Sequence, residues 1–257
     1  MLVKTLLNRI HRFKGFVYES VRMEGHGGCL AILIQVIPRS NSRPRCSGCG
    51  KVRPGYDTLP ERSFAFIPLW GIPVYFFYSM RRVECCKCGV VVESVPWADG
   101  KHQITNAYAW FLARWAKRLS WKEVSVVFKT SWDTVFRSVE RAVEWGLAHR
   151  TLDAITALGV DEIAIRRGHK YITLVYDIGS ECRRLIWIGE TRTKKTLESF
   201  FDFFGATRIA QLKYICSDMA KGYLEAIKDR AGAALNVLDR YHIVALLNKK
   251  IDKVRAD

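Results

Sequence analysis

Acidic residues are scarce in this 257-residue chain: 25 Asp and Glu stand against 41 Lys and Arg, a formal charge of +16 with a pI near 9.7. The imbalance favours a polyanionic partner, because each phosphate neutralised by a cation releases condensed counterions. A membrane-length apolar run is also missing. The one stretch that resembles a span, residues 64–80, is short and carries Pro68, Gly71 and Pro73, which would break a helix. It reads as a turn across 68–73 followed by a strand over 74–83. The opening MLVKTLLNRIHRFKG scatters basic residues and has no continuous apolar segment, unlike a secretory signal. No internal repeat or low-complexity tract stands out. Hydrophobic content of 49% and charged content of 26% are those of an ordinary soluble globular protein, not a disordered one.

The chain does have eight cysteines, and without a secretion signal they are expected to be reduced thiols and not disulfides. Four of them form two short pairs, Cys46-x-x-Cys49 and Cys85-x-x-Cys88, about forty residues apart. Two knuckles of this kind present four thiolates to one tetrahedral Zn²⁺. Cys86 leaves the second knuckle ambiguous, since either Cys85 or Cys86 precedes Cys88; Cys85 preserves the two-residue gap. Cys29, Cys182 and Cys216 sit in apolar, strand-like segments and read as buried structural thiols.

Residues 29–38, CLAILIQVIP, read as a strand. From about 103 to 148 the pattern becomes helical. Residues 106–119 place Ala, Trp, Phe and Leu at helical spacing, with Arg114, Lys117 and Arg118 left for the outside. Ser120, with Glu123 three residues on, predicts a capping box for a helix over 121–128. After a KTS turn, Ser131 caps a second helix over 132–146, with Asp133 in its first turn. Arg137 and Arg141 on that helix make a helix-turn-helix that binds DNA one reading; a helical linker with a solvated basic face is the other. Trp97, Trp110, Trp115, Trp121, Trp132 and Trp145 are expected in the core.

Beyond about residue 155 the period becomes two. ALGVDEIAI, HKYITLVYDI and RRLIWIGE read as three strands with Gly168 and Gly179 in the turns. A helix over 194–204, a strand LKYICSD, a helix over 222–231, a strand ALNVLD and a helix from His242 follow. This βββαβαβα order is that of an RNase H-like core. Asp161 in the first strand and Asp218 at the end of the fourth would then converge on one sheet edge. Paired carboxylates there suit Mg²⁺ or Mn²⁺, which prefer hard oxygen ligands. Arg166, Arg167, His169 and Lys170 occupy the adjacent hairpin, where they could steer a phosphate backbone or simply be solvated. Asp239 and His242 read as structural, the aspartate capping the final helix.

Together the two knuckles with RRVECCKCG, the trailing VPW (95–97), the paired helices, GVDEIAIRRGHKYITLVYD, SDMAKGY and LDRYHIVALLNKKIDKVR resemble the ISL3 family of bacterial insertion-sequence transposases over nearly the whole chain. The resemblance implies a multidomain α+β protein. A zinc-ribbon-like β domain (1–102) would precede a helix-turn-helix domain (103–150) and an incomplete RNase H-like α/β domain with a mixed sheet (151–257). It implies Asp161 and Asp218 as the first two acids of a DDE site, and double-stranded DNA, both terminal inverted repeats and target, as partner. It further implies a cytoplasmic, nucleoid-associated setting, with a homodimer as a possible assembly and no membrane. The third acid of the family is a glutamate beyond a long helical insertion, yet no glutamate follows Glu225. Asp252, 34 residues after Asp218, has a DDD-like spacing but sits among Lys249, Lys250 and Lys253 and reads as a surface charge. The expectation is a C-terminally truncated copy that cannot complete strand transfer unaided. A non-catalytic DNA-binding remnant and a zinc-ribbon module binding RNA or protein are the alternatives.

Overall fold

The computed structural model describes residues 3–26, 29–166, 170–179 and 183–256, with the side chains of His26 and Cys29 outside that set. The expectations for Cys29 and Cys182 as buried thiols, for Arg167 and His169, and for Gly168 as a turn therefore lie outside the described residues. The chain divides into two compact units, 1–149 and 150–257. The segments expected as separate domains, 1–102 and 103–150, fall in the first of these except for Arg150, which opens the second.

The first unit opens with α1 (Val3–Ile10) and the hairpin β1 (Phe16–His26) and β2 (Cys29–Pro38). A longer hairpin follows, β3 (Gly55–Leu69) and β4 (Ile72–Cys85), and then short β5 (Gly89–Val92). The sheet runs β1-β2-β4-β3, with β5 also on β4; the β2–β4 pair is parallel and the others antiparallel. The expected turn narrows to Trp70 and Gly71, both with positive φ (53° and 75°) between Leu69 and Ile72. That is the two-residue geometry that matches strand twist. Pro68 and Pro73 lie beside it, at strand ends that tolerate a missing donor. Alternation along β4 buries Val74, Phe76, Tyr78 and Met80 on one face. There they meet Ile34, Phe64 and Trp97, and the Trp97 ring lies 4.9–6.1 Å from those of Phe13, Phe16, Phe64 and Tyr78.

Three helices complete this unit: α2 (Asn106–Trp115), α3 (Trp121–Val127) and α4 (Trp132–His149). Thr105 caps α2 by accepting from Tyr108 N, while its own N–H donates to Ala65 O of β3 at 2.8 Å. Tyr108, Leu112, Val124 and Val135 form the small core of the bundle, against which Ala65 and Ile67 of the sheet also pack. The capping box of Ser120 and Glu123 is present, and Ser131 accepts from Thr134 N at 3.0 Å. Four residues join α3 to α4, with Lys129 at φ 49°. The tryptophans divide. Trp97 is buried at 2% exposure, whereas Trp115, Trp132 and Trp145 are 39–53% exposed. This corrects the expectation of six core tryptophans: a three-helix bundle this small has room for few indoles, so Trp121 packs against its core while Trp132 stacks on Phe136 at the surface.

The second unit starts with the meander β6 (Ala157–Arg166), β7 (Lys170–Asp177) and β8 (Arg184–Gly189). Next come α5 (Lys194–Phe204), the short α6 (Ala206–Ile209), β9 (Tyr214–Ser217), α7 (Lys221–Ala231), β10 (Leu235–Leu238) and α8 (Arg240–Ala256). The sheet order is β10-β9-β6-β7-β8, with β6–β9 and β9–β10 parallel. Leu158 and Val160 of β6 pack with Leu197, Phe200, Phe201 and Phe204 of α5 and Tyr223, Ala226 and Ile227 of α7. A buried hydroxyl link ties β7 to α7: Thr173 Oγ1 lies 2.7 Å from Tyr223 Oη and donates to Thr191 O at 2.6 Å. Among the described residues α8 buries no side chain. The architecture is α+β with two mixed sheets, and no helix among the described residues is long and apolar enough to cross a membrane.

Candidate metal centre, acidic strand ends and basic helix

Each cysteine knuckle is a tight turn closed by a glycine four residues after its first cysteine. Gly50 and Gly89 hold positive φ (68° and 72°), a conformation costly for any residue with a Cβ. Gly50 N donates to Cys46 O at 2.8 Å, and Cys85 pairs across the β4–β5 turn with Gly89. Gly48 is needed for space, since a Cβ there would lie 2.9 Å from Cys88 Sγ. The two knuckles are held together by Cys46 bridging to Glu93 beside β5.

The result brings the sulfurs of Cys46, Cys49, Cys85 and Cys88 within 4.8 Å of one another. Cys49 and Cys85 Sγ are 3.7 Å apart, close to the edge of about 3.8 Å that a tetrahedron with 2.3 Å metal–sulfur bonds would have. Cys86 is exposed and outside the cluster, which resolves the choice within the second knuckle in favour of Cys85. The backbone amides of Lys87 and then Cys88 hold the Cys85 thiol down to about 6, whereas burial and then its sulfur neighbours push Cys88 up to about 12. Crowded thiolates repel, so four together require a cation. Arg53, just after the first knuckle, lies against Cys85 and Cys49 and offsets some of that negative charge. The sequence reading missed it; its only signal was a cation two residues past Lys51. These residues form a metal-ready thiolate site of soft donors.

The acids of the second unit are arranged by register. Leu158 and Val160 face the helices, so Asp161, one residue on, projects from the opposite, open face and is exposed. In the parallel pair Gly159 lies opposite Cys216; the same register continued by two residues, past the end of β9 at Ser217, would set Asp161 level with Asp218. Asp218 is half-buried, and one of its oxygens accepts from Ala220 N at 3.0 Å ahead of α7. On the other side Leu238 lies opposite Ser217, and Asp239 N donates to Ser217 O, which continues the row to Asp239. Asp239 also accepts from Tyr241 N at 2.9 Å at the start of α8, the capping role expected of it; His242 Nε2 is 4.0 Å from its carboxylate.

A cavity of about 580 Å³ on the open face is lined by Asp161, Tyr176, Leu185, Cys216 and Asp239. Cys216 is thus half-exposed between two acids, not a buried core thiol; burial and then Asp239 and Asp161 raise its thiol above its ordinary value. Among the described residues the four cysteines are the one group of three or more ligand-type side chains gathered tightly enough for an ion. Asp252 is exposed on α8 with no ion pair among the described residues.

On α4, Arg137 is 61% exposed and pairs with Asp133 one turn earlier, at 2.9 Å. Arg141 turns inward: it donates to Asn106 Oδ1 at 2.9 Å and pairs with Asp99. The two arginines line one shallow cavity with Glu140 and Glu144, Arg137 the more exposed and Arg141 engaged by Asp99 and Asn106.

Residues 158–257 match the profile of the ISL3 group of DDE transposases, described as Transposase. Over 250 residues the chain is 30% identical to the transposase for insertion sequence element IS1557 of Mycobacterium tuberculosis, covering 94% of this chain and 55% of that protein. It is 26% identical over 262 residues to the transposase for insertion sequence element IS1001 of Bordetella parapertussis, covering all of this chain and 63% of that one. The chain thus spans a little over half the length of these relatives.

Proposed function

Because the chain belongs to the ISL3 family of insertion-sequence transposases, we propose that it acts in DNA transposition, with its first unit binding the terminal inverted repeats and its second contributing to phosphodiester cleavage and strand transfer. The observation that carries this reading is the parallel pairing of β6 with β9, which, continued by two residues, sets Asp161 within β6 level with Asp218 just past the end of β9. The strand order 3-2-1-4-5 within the second unit supports an RNase H-like core. Both carboxylates keep oxygens free, and hard oxygen donors suit Mg²⁺ or Mn²⁺ while leaving coordination positions for phosphate. A divalent cation bound there would supply Lewis acidity to a phosphodiester.

In the first unit, the thiolate set suits a structural Zn²⁺ in a zinc-ribbon-like domain, whose folding that ion would support. The turn-linked α3 and α4 serve as a helix-turn-helix, with Arg137 as the contact to DNA. Arg141 orients α4 against the 99–106 segment. The setting is the bacterial cytoplasm near the nucleoid, and a homodimer on paired ends is part of the proposal.

Titrating Mn²⁺ into the protein and following the free-ion paramagnetic signal tests the acidic pair. Uptake beyond the zinc site that disappears in Asp161→Asn and in Asp218→Asn supports it. Equal uptake by parent and both variants would sink it.

A further inference from the structure

Beside the cysteine cluster but lined by none of its four cysteines, the first unit contains a cavity of about 580 Å³ where the α1–β1 loop meets the segment leading from β2 to the first knuckle. Five cations line it, Lys14, Arg39, Arg43, Arg45 and Arg81, against one carboxylate, Glu93. That carboxylate is spent: it is buried and takes a two-pronged ion pair from Arg81, with Arg81 Nη2 to Glu93 Oε2 at 2.7 Å. The floor is therefore neutral, and the charge of the rim is uncompensated. Elsewhere in this unit Arg22, Arg82, Arg137 and Arg141 each have an acidic partner. Among the described residues Lys14, Arg39, Arg43 and Arg45 have none, and Arg45 donates only to Gly50 O.

The walls are fixed by the backbone. Arg39 N donates to Gly15 O at 2.9 Å, Ser42 N to Arg39 O at 2.8 Å, and Arg81 Nη1 to Ser42 O at 3.1 Å. Gly15, at φ 86°, comes so close that a Cβ would lie 2.7 Å from Ser42 Oγ. Exposed guanidinium groups on a rigid concave frame, with no internal counterion, are built to receive phosphate oxygens in pairs.

We propose that this cavity binds the phosphodiester backbone of duplex DNA, as a sequence-independent contact separate from the helix-turn-helix. The inference rests on the DNA-binding reading above and adds a second contact to it. Such a contact positions a protein on the duplex without reading bases.

The test compares the full chain with the double variant Arg39→Gln/Arg43→Gln, and with Lys4→Gln/Arg22→Gln as a control that removes the same charge outside the cavity. Affinity for inverted-repeat and shuffled duplexes is measured by fluorescence anisotropy across a salt series, with circular dichroism and zinc content checking the fold. The cavity variant should lower the slope of log K against log salt by about 2, one for each phosphate no longer neutralised, and equally for both duplexes. The control should leave the slope unchanged. A parent that binds duplex while the cavity variant keeps its slope overturns the cavity alone. A parent that binds no duplex overturns this inference and the DNA-binding reading together. Lys14→Gln, added singly, should lower the slope by about 1 and repeats the test should the double variant fold poorly.

Discussion

Removing Glu93 should destabilise the first unit severely, and the size follows from its surroundings. Its side chain is 1% exposed and accepts from four donors: Tyr78 Oη at 2.6 Å, Arg81 N at 2.8 Å, Arg81 Nε at 3.0 Å to each oxygen, and Arg81 Nη2 at 2.7 Å. Glu93→Ala strands the Tyr78 hydroxyl in the core and leaves Arg81 with Ser42 O as its one remaining acceptor. Breaking a buried pair by deleting one partner costs about 3–5 kcal/mol. Arg81 is 17% exposed, so water relieves part of its charge and the lower end, about 3 kcal/mol, applies. With a urea dependence of about 2 kcal/mol/M, the midpoint should fall by about 1.5 M. Tryptophan fluorescence reports the transition, since Trp97 lies 5.2 Å from Tyr78 in the same core. Parent and variants are compared at one fixed zinc concentration, because a metal held by the four cysteines would add to stability. Glu93→Gln keeps the shape and loses the charge, so it should cost roughly half as much, about 1.5 kcal/mol. A midpoint within about 0.2 M of the parent for Glu93→Ala would refute the reasoning, since surface substitutions are worth about that little.

Two further contrasts follow from the same structure. Cys85→Ser should abolish stoichiometric zinc, read by elemental analysis of purified protein, while Cys86→Ser retains it; equal loss in both would contradict the assignment of ligands. Trp97→Ala should cost about 3–5 kcal/mol in urea unfolding and Trp132→Ala under about 1.5, because one indole is enclosed and the other half-exposed. Comparable losses would mean that the surface cluster around Trp132 is as well packed as the core.

Much of this was legible from local chemistry. The capping residues Ser120 and Ser131 and the helix Lys194–Phe204 were readable because each is decided within a few residues. The strand at Cys29–Pro38 was readable because a buried β-branched run has few other fates. Convergence of the two knuckles followed from cysteine spacing. What escaped was decided at a distance. Strand β1 and most of β3 have no strong pattern of their own and exist through their partners, β2 and β4. Whether a tryptophan is enclosed depends on how much volume the bundle can surround, and helical spacing does not carry that. The destination of Arg141 was set by Asp99 and Asn106, 42 and 35 residues earlier. The place of Asp239 next to Asp218 is likewise a property of register between strands, since Leu238 pairs with Ser217.

Whether this chain handles the ends of an insertion sequence is decided by its affinity for the element's terminal inverted repeat, measured beside a shuffled duplex of equal composition. At physiological salt, binding to the repeat should be tighter by about 10³ or more, with the preference much reduced in Arg137→Ala. Equal affinity for the two duplexes would contradict a role at the element's ends.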